Sequence, residues 1–257
     1  MTIDTLAINE IHEGDCLEVM RDIPDGSIDM ILCDLPYGST RNKWDSIIPL
    51  DELWAHYVRI IKDDGAIVLM AQTPFDKVLG VSNIKLLRYE WVWEKVRATG
   101  HLNAKKMPMK AHENILVFYK MLPTYNPQIT DGHKPLNTTY GKGTSGSENY
   151  GKFEIMADTS KRTTRLPRSV QKVNGVNTNS AEYVGHGTQK PVSLMEYLVR
   201  TYTNSCETVL DNCIGSGTTA VAAINANRNF IGIEQDTGYV AIARQRINDA
   251  IAAKEDE

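Results

Sequence analysis

The stretch VLDNCIGSGTTAVAAINANRNFIGIE, residues 209–234, constrains the fold of this chain more than any other. It reads as a short apolar strand, a tight loop containing Gly215 and Gly217, a helix, and a second apolar strand that ends at Glu234. Two successive strands joined through a helix run parallel in one sheet, and the helix packs on a face of that sheet. The stretch therefore predicts an α/β protein.

Strands and helices alternate through most of the remaining sequence, which predicts a mostly parallel sheet with helices on its faces. The tripeptide DDG at 63–65 is expected to end one of these helices. Strand-like runs lie at 7–15, 27–34, 66–71, 89–96, 113–120, 207–211 and 230–234, and helical runs at 50–62, 75–87, 191–203, 218–227 and 236–254.

Composition places the chain among ordinary globular proteins. Of its 257 residues, 42% are hydrophobic and 23% are charged. No apolar run approaches the roughly 20 residues of a membrane span, and the N-terminus does not read as a signal peptide. The four cysteines form no C-x-x-C pair, and the six histidines are scattered. Reduced thiols, a cytoplasmic location and no metal site are therefore expected.

Charge is distributed unevenly along the chain. Residues 85–172 contain 16 Lys and Arg against 7 Asp and Glu, whereas the rest contains 12 against 25. A basic segment on an acidic body is a candidate phosphate-binding surface. Charge alone also fits a solvated lysine-rich face, so it leaves both interpretations open.

The composition of the sequence changes between about 121 and 185. This stretch is rich in Gly, Pro, Asn, Thr and Ser, lacks periodicity, and is too long for an ordinary connection. It predicts an inserted region, 121–185, between the two parts of one domain, 1–120 and 186–257.

A second unusual stretch, CDLPYGSTRNKWD, follows the strand-like run SIDMIL. An acid, Asp34, is followed by a stiff Leu35–Pro36 pair, the aromatic Tyr37 and a glycine. Turns use Asp, Pro and Gly, so the stretch taken alone is equally a simple turn or a functional loop.

The glycine loop at 215–217 indicates a ligand. Its glycines allow a tight turn off the strand, and the following helix presents its N-terminal amides. Glu234, 19 residues after Gly215, stands where an acid bonds ribose hydroxyls. The pattern fits a dinucleotide, as in an NAD-dependent oxidoreductase, or a nucleoside cofactor without a pyrophosphate. Only one strand follows the loop, which argues against the dinucleotide.

Together, DLPYG and LDNCIGSGTT…FIGIE resemble the catalytic and cofactor motifs of the β-group DNA amino-methyltransferases, which use S-adenosylmethionine. Three further stretches match in order: GDCLEVMRDIPDGSIDMIL, WEKVRATGHLNAKKMPMKAHENILVF and GHGTQKPVSLMEYLVR. The resemblance implies a seven-stranded, mostly parallel Rossmann-like sheet with permuted motif order and its last strand antiparallel. It also implies that 121–185 is the target-recognition region of a double-stranded DNA substrate.

The resemblance assigns catalysis to Asp34, Leu35, Pro36 and Tyr37. The Asp34 carboxylate and the Leu35 carbonyl, restricted by Pro36, would accept hydrogen bonds from an exocyclic amine, while Tyr37 stacks on the flipped base. The Asp form of the motif favours adenine N6 over the alternative, cytosine N4. An inactive DNA-binding relative is a further alternative, which the intact motifs disfavour.

The resemblance also assigns the binding residues. The cofactor would be held by Asp15, Asp34, Gln189, Lys190, Asp211, Cys213, Gly215, Gly217, Thr218 and Glu234. DNA phosphates would be contacted by Arg41, Lys43, Lys105, Lys106, Lys110, Lys161, Arg162, Arg165 and Arg168. Two departures from the family stand out: Leu35 replaces a proline, and Asn212–Cys213 replaces Pro-Phe. Whether the protein dimerises or is paired with a restriction enzyme is left open.

Overall fold

The computed structural model describes residues 6–38, 45–135, 143–149, 151–155 and 162–255. Its strands are β1 Glu10–Glu13, β2 Ile28–Asp34, β3 Ile61–Ala71, β4 Leu87–Thr99, β5 Lys110–Phe118, β6 Gly143–Ser147, β7 Gly151–Ile155, β8 Val170–Val173, β9 Thr208–Asp211 and β10 Asn229–Glu234. Its α-helices are α1 Cys16–Val19, α2 Leu50–Ile60, α3 Phe75–Ser82, α4 Val192–Tyr202, α5 Thr218–Asn225 and α6 Thr237–Glu255. Among the described residues, no helix combines the length and apolarity needed to cross a membrane.

Eight of these strands form one sheet in the order β1-β10-β9-β2-β3-β5-β4-β8. Neighbours pair in parallel except around β5, which runs antiparallel to both β3 and β4. The predicted α/β class with a mostly parallel sheet is thereby confirmed. The sheet has one strand more than the expected seven, because β8 pairs with β4 at the sheet edge.

Strand β2 lies in the middle of the sheet and is covered on both faces. Ile31 and Cys33 pack with α2 and α3, whereas Met30 and Leu32 pack with α4 on the opposite face. Side chains alternate between the two faces of a strand, so both sets must be apolar. This explains why residues 27–34 read as an almost continuous apolar run.

Strand β3 begins earlier than the sequence predicted. The tripeptide at 63–65, expected to end a helix, lies inside β3, which starts at Ile61 directly after α2. The pairing of β3 with β2 shifts register across this stretch, as in a β-bulge. A Cβ atom on Gly65 would lie 2.8 Å from the carbonyl oxygen of Asp29. The glycine therefore permits a close approach of two strands.

Residues 127–168 form a compact unit distinct from the unit made of Met1–Asn126 and Ser169–Glu257. This smaller unit contains the antiparallel β6–β7 hairpin and an isolated bridge between Thr130 and Arg165. The predicted insertion at 121–185 is wider than this unit. The extent of the target-recognition region therefore stays a prediction.

The strand order brings distant parts of the sequence together. β9 lies beside β2, while the chain proceeds from β9 to β10 on one side and from β2 to β3 on the other. In open α/β sheets, ligands bind outside the carboxyl ends of strands at such a reversal.

Candidate active site

A cavity of about 810 Å³ opens at this edge of the sheet. The carboxylates of Asp34, Asp211 and Glu234, which end β2, β9 and β10, all line it, and so does Asp15, which follows β1. Its volume falls within the roughly 300–1,000 Å³ typical of small-molecule sites. The predicted catalytic and cofactor motifs therefore share one pocket.

The turn after β2 is held by its own side chains. The Tyr37 hydroxyl donates to Oδ1 of Asp34 at 2.7 Å, and its ring stacks on Phe75 with centroids 5.4 Å apart. Burial, followed by the charge of Asp34, raises the pKa of Tyr37 well above its usual value, so the hydroxyl remains a donor. Leu35 is buried in the core. Packing of Leu35 thus fixes the turn where the family uses a second proline.

A row of alternating charges leads away from Asp34. Lys190 Nζ donates to Oδ2 of Asp34 and lies 3.6 Å from Oε2 of Glu113. Oε1 of Glu113 accepts from Lys95 Nζ at 2.5 Å. Burial lowers the pKa of Lys190, but the charges of Asp34 and Glu113 outweigh it and the net shift is upward. Lys190 therefore stays cationic between two carboxylates.

One oxygen in this row lacks a hydrogen bond. Glu113 is about nine-tenths buried, and its Oε2 has no hydrogen-bond partner among the described residues. The separation of 3.6 Å from Lys190 Nζ is an ion-pair distance and too long for a hydrogen bond. Glu113 lines the same cavity as Asp34. Oε2 of Glu113 is thus a buried oxygen on the cavity wall that can accept a further hydrogen bond.

Gln189 and Lys190 have protein partners. The Gln189 side chain donates to the carbonyl of Glu182 at 2.7 Å and accepts from the amide of Val184 at 3.2 Å. Both Gln189 and Lys190 line the cavity. Their predicted role at the cofactor's methionine carboxylate stays a prediction.

The glycine loop is fixed by contacts with α6 and β10. Gly217 has φ +84°, and a Cβ atom on it would lie 3.0 Å from Cα of Ala243. The amide of Gly215 donates to Oε2 of Glu234 at 2.9 Å, across the two ends of the motif. Thr218, the first residue of α5, accepts from Arg246 at 3.2 Å. The loop is therefore held in one arrangement beside the cavity.

Asp211 is buried at the end of β9. Its oxygens accept from the Thr219 hydroxyl at 2.5 Å and the Cys213 amide at 3.1 Å. Burial raises the pKa of Asp211 to about 6, although these hydrogen bonds lower it. The carboxylate is consequently ionised near neutral pH and remains a hydrogen-bond acceptor at the cavity wall.

Asn212 and Cys213 fill the space that the family gives to Pro-Phe. Oδ1 of Asn212 accepts from the buried Tyr57 hydroxyl at 2.5 Å. The neighbouring thiols of Cys16 and Cys33, together with burial, raise the pKa of the Cys213 thiol well above its usual value. A buried polar bond and a cluster of small thiols thus replace one aromatic side chain.

Asp15 both caps the helix α1 and lies on the cavity wall. Its Oδ1 accepts from the amide of Leu17 at 2.8 Å and caps α1. The same residue lines the cavity. An N-cap role and a ligand role are therefore compatible at this position.

Three of the predicted DNA-contacting lysines are among the residues that the structure describes. Lys105, Lys106 and Lys110 are exposed on and beside the β4–β5 connection, and Lys110 Nζ donates to Oε1 of the cavity-lining Gln72 at 2.8 Å. Arg41, Lys43 and Lys161 lie outside the described residues.

The arginines belong to the smaller unit. Arg162 and Arg168 are exposed. Arg165 instead donates to backbone carbonyls, including that of Lys134 at 2.5 Å and that of Thr164 at 2.9 Å. Arg165 thus joins two irregular segments of its own unit, and its predicted DNA contact stays a prediction.

Lys95 and Glu113 lie within the motif WEKVRATGHLNAKKMPMKAHENILVF, but the sequence analysis assigned neither of them a role. Both lie on paired strands, where Trp93 of β4 stands opposite Glu113 of β5. The available signal was an acid directly before an apolar strand, since buried charges need partners. Only the strand pairing identifies the partner as Lys95.

The lining of the cavity suits S-adenosylmethionine. Ribose hydroxyls and an amino group need acceptors, and the carboxylates of Asp15, Asp211 and Glu234 supply them. The backbone beside Gly215 and Gly217 allows close approach. These residues would hold the nucleoside, as the sequence predicted.

The chain matches the DNA methylase family over residues 28–245. It belongs to this N6/N4 DNA methylase family and is an S-adenosylmethionine-dependent DNA methyltransferase. The Type II methyltransferase M.BglII of Bacillus subtilis is 31% identical over 93% of this chain and 68% of that protein. The DNA adenine methyltransferase YhdJ of Escherichia coli (strain K12) is 28% identical over 93% of this chain and 83% of that protein.

Solved structures agree in fold. The M1.HpyAVI–SAM complex superposes with a TM-score of 0.64 at 24% identity, covering 93% of this chain and 98% of that one. The cytosine-N4-specific PvuII DNA methyltransferase superposes with a TM-score of 0.65 at 15% identity, covering 96% of this chain and 93% of that one. The predicted family and cofactor are confirmed, and membership of the family sets aside the oxidoreductase alternative.

Proposed function

We propose that the protein transfers a methyl group to the exocyclic N6 of an adenine that has been flipped out of double-stranded DNA. The observation that carries the proposal is the position of Asp34. This acceptor ends β2 on the wall of the cavity that the glycine loop also lines.

Asp34 and the Leu35 carbonyl would act on the amine. The lone pair of an exocyclic amine is conjugated with its ring, and two acceptors on its N–H groups would free that lone pair. Asp34 would then take up the proton that the amine loses. S-adenosylmethionine supplies an activated methyl group on a sulfonium, so the protein's task is alignment and proton removal.

Lys190 and Glu113 would control whether Oδ2 of Asp34 is available to accept a hydrogen bond from the substrate amine. Tyr37 and Lys190 donate to different oxygens of Asp34. The free Oε2 of Glu113 lies 3.6 Å from Lys190 Nζ and offers the ammonium group an alternative partner. A small shift of Lys190 toward Glu113 would free Oδ2 of Asp34 for the incoming amine.

The base must leave the helical stack before it reaches Asp34. Extrusion of a base costs roughly a few kcal/mol, which contacts in the pocket must offset. Tyr37, which already stacks on Phe75, would hold the ring. Base–aromatic stacking contributes about 1–3 kcal/mol per base.

Adenine is favoured over cytosine by the acid of the catalytic motif and by a relative named a DNA adenine methyltransferase. The fold does not separate the two bases, because a cytosine-N4-specific enzyme shares it. Cytosine N4 therefore remains the alternative that the experiment must exclude.

The test uses DNA and S-adenosylmethionine carrying a labelled methyl group. Digestion of the product should yield labelled N6-methyladenine, and label found only in N4-methylcytosine would reject the base assignment. Asp34→Ala should retain measurable cofactor binding, because the other predicted cofactor residues remain, and should lose about 100-fold or more in methyl transfer. Full activity of this variant would refute the role of Asp34.

Location and partners follow from this substrate. DNA lies in the cytoplasm of bacteria such as those of the curated relatives, so we expect the protein there. The region 121–185 would select the target sequence. Sedimentation would test for a homodimer, and sequencing the DNA of an expressing cell would map the methylated site. Recovery of the encoding gene beside an endonuclease gene for that site would indicate a restriction partner.

A further inference from the structure

The connection between β4 and β5 is an exposed hairpin arm with an unusual surface. Every residue from 99 to 112 is exposed. Leu102, at the tip, has 87% of its surface exposed, and Met107 and Met109 have 52% and 41%. Exposed apolar side chains grouped on one projecting element mark an interaction site.

The arm has a defined conformation. Gly100, with φ +88°, leads into a 3-10 turn at His101–Asn103. The amides of Lys106 and Met107 both donate to the carbonyl of Asn103, at 2.8 and 3.0 Å. Leu102 is therefore presented on a hydrogen-bonded tip.

The charge of the arm indicates its partner. Residues 96–112 include four cations, Arg97, Lys105, Lys106 and Lys110, and no Asp or Glu. Two copies of such an arm would repel each other across a two-fold axis, because an isologous interface brings like surfaces together. A polyanion matches the charge, and duplex DNA also accepts apolar wedges between its base steps.

The base of the arm reaches the cavity. Val96, Arg97 and Thr99 line the cavity that contains Asp34. Leu102 follows Thr99 by three residues, which places it within about 11 Å of the cavity wall. An apolar side chain inserted there would fill the gap left by a base moving into the cavity.

We propose that Leu102 is a wedge that enters the DNA stack beside the target base while the cations of the arm hold the flanking phosphates. The inference rests on the proposed function, since it names the element that extracts the base. Methionines at positions 107 and 109 would extend the apolar contact.

The experiment compares Leu102→Ala with Leu122→Ala, a leucine that is 79% exposed at the opposite end of the β4–β5 pair. The substrates are a duplex carrying the mapped target site and the same duplex with the target adenine opposite an abasic site. Loss of the Leu102 side chain should lower kcat/KM on the paired duplex about 10-fold or more. The free-energy cost of unstacking and unpairing the target base would then no longer be offset by contacts of the wedge. Activity on the abasic duplex and activity of the control should change less than about two-fold.

A second readout does not depend on catalysis. With 2-aminopurine at the target position, binding of the wild type should raise its fluorescence, and Leu102→Ala should diminish that rise. Equal losses on both duplexes, no loss on either, or a dimer dissociated by Leu102→Ala would overturn the wedge. Wild-type protein that raises the fluorescence and transfers no methyl group would refute the proposed function while leaving the wedge supported.

Discussion

Asp34, Lys190 and Glu113 form a partly buried network of ion pairs on the cavity wall. A buried charge is tolerated when it is paired, and removal of one partner costs about 3–5 kcal/mol because the other charge is left uncompensated. Lys190 pairs with both carboxylates, and Lys95 supports Glu113 from β4. Burial raises the pKa of Glu113, but Lys190 and Lys95 outweigh it and the net shift is downward. Glu113 and Lys190 therefore remain ionised around neutral pH.

Glu113→Gln tests whether this row positions Asp34. The substitution keeps the shape of the side chain and removes the charge that attracts Lys190, so Lys190 should remain on Asp34. We expect kcat to fall about 10-fold, which corresponds to about 1.4 kcal/mol, with the KM for S-adenosylmethionine nearly unchanged. Steady-state kinetics on the mapped duplex would measure both parameters.

The matched control is Glu94→Gln, which breaks an exposed ion pair with Lys172 on the neighbouring strand β8. Such surface pairs contribute about 0–1 kcal/mol, so little change is expected. Glu113→Asp should restore part of the lost rate. A purely structural role would instead show as lower thermal stability with an unchanged kcat.

At the scale of elements, the start of α5 depends on its contact with α6. Gly217 is the residue before α5, and a Cβ atom on it would lie 3.0 Å from Cα of Ala243 in α6, which is a tight contact. The glycine loop is therefore shaped by helix packing as well as by its own turn.

Gly217→Ala is expected to destabilise the protein by about 1–3 kcal/mol, because overpacking and a strained positive φ act together. Urea denaturation would measure the free energy of unfolding, and cofactor affinity should fall as the loop shifts. Gly187→Ala is the control, since a Cβ atom there meets nothing within 4 Å. Equal stability of the two variants would show that Ala243 shifts to accommodate the added methyl group at little cost in free energy, which would contradict the prediction.

At the scale of the whole molecule, we expect this acidic protein to bind its DNA substrate through a local basic region. The chain has a net charge of −4, yet residues 85–172 are strongly basic. Within the larger unit, this excess includes the exposed Lys105 and Lys106 of the hairpin arm. Counterions released from DNA by such residues make binding depend on salt.

Replacing Lys105 and Lys106 with glutamine should make the slope of log K against log salt less negative by about 1.8, since each phosphate contact contributes about 0.9. Fluorescence anisotropy with duplex DNA at several salt concentrations would give the slope. The control replaces Lys85 and Arg88, which lie at the other end of β4, roughly 40 Å away by strand rise. An identical change in both variants would indicate a general charge effect.

The sequence alone predicted much of this protein for physical reasons. Alternating strand and helix patterns implied parallel pairing, and the two-sided burial of 27–34 implied a central strand. The sequence also placed Asp34 and Glu234 at the ends of strands beside turn residues, and both carboxylates line the cavity. Local patterns of this kind need no knowledge of distant contacts.

Only the tertiary structure decided which distant side chains meet. β3 begins at Ile61 rather than after 63–65, because a bulged pairing with β2 overrides a local turn signal. The chain places Lys95, Glu113 and Lys190 on three separate elements, and the pairing of β4 with β5 together with the loop before α4 brings them to Asp34. Spacing along the chain does not encode such contacts, because they depend on strand order and register.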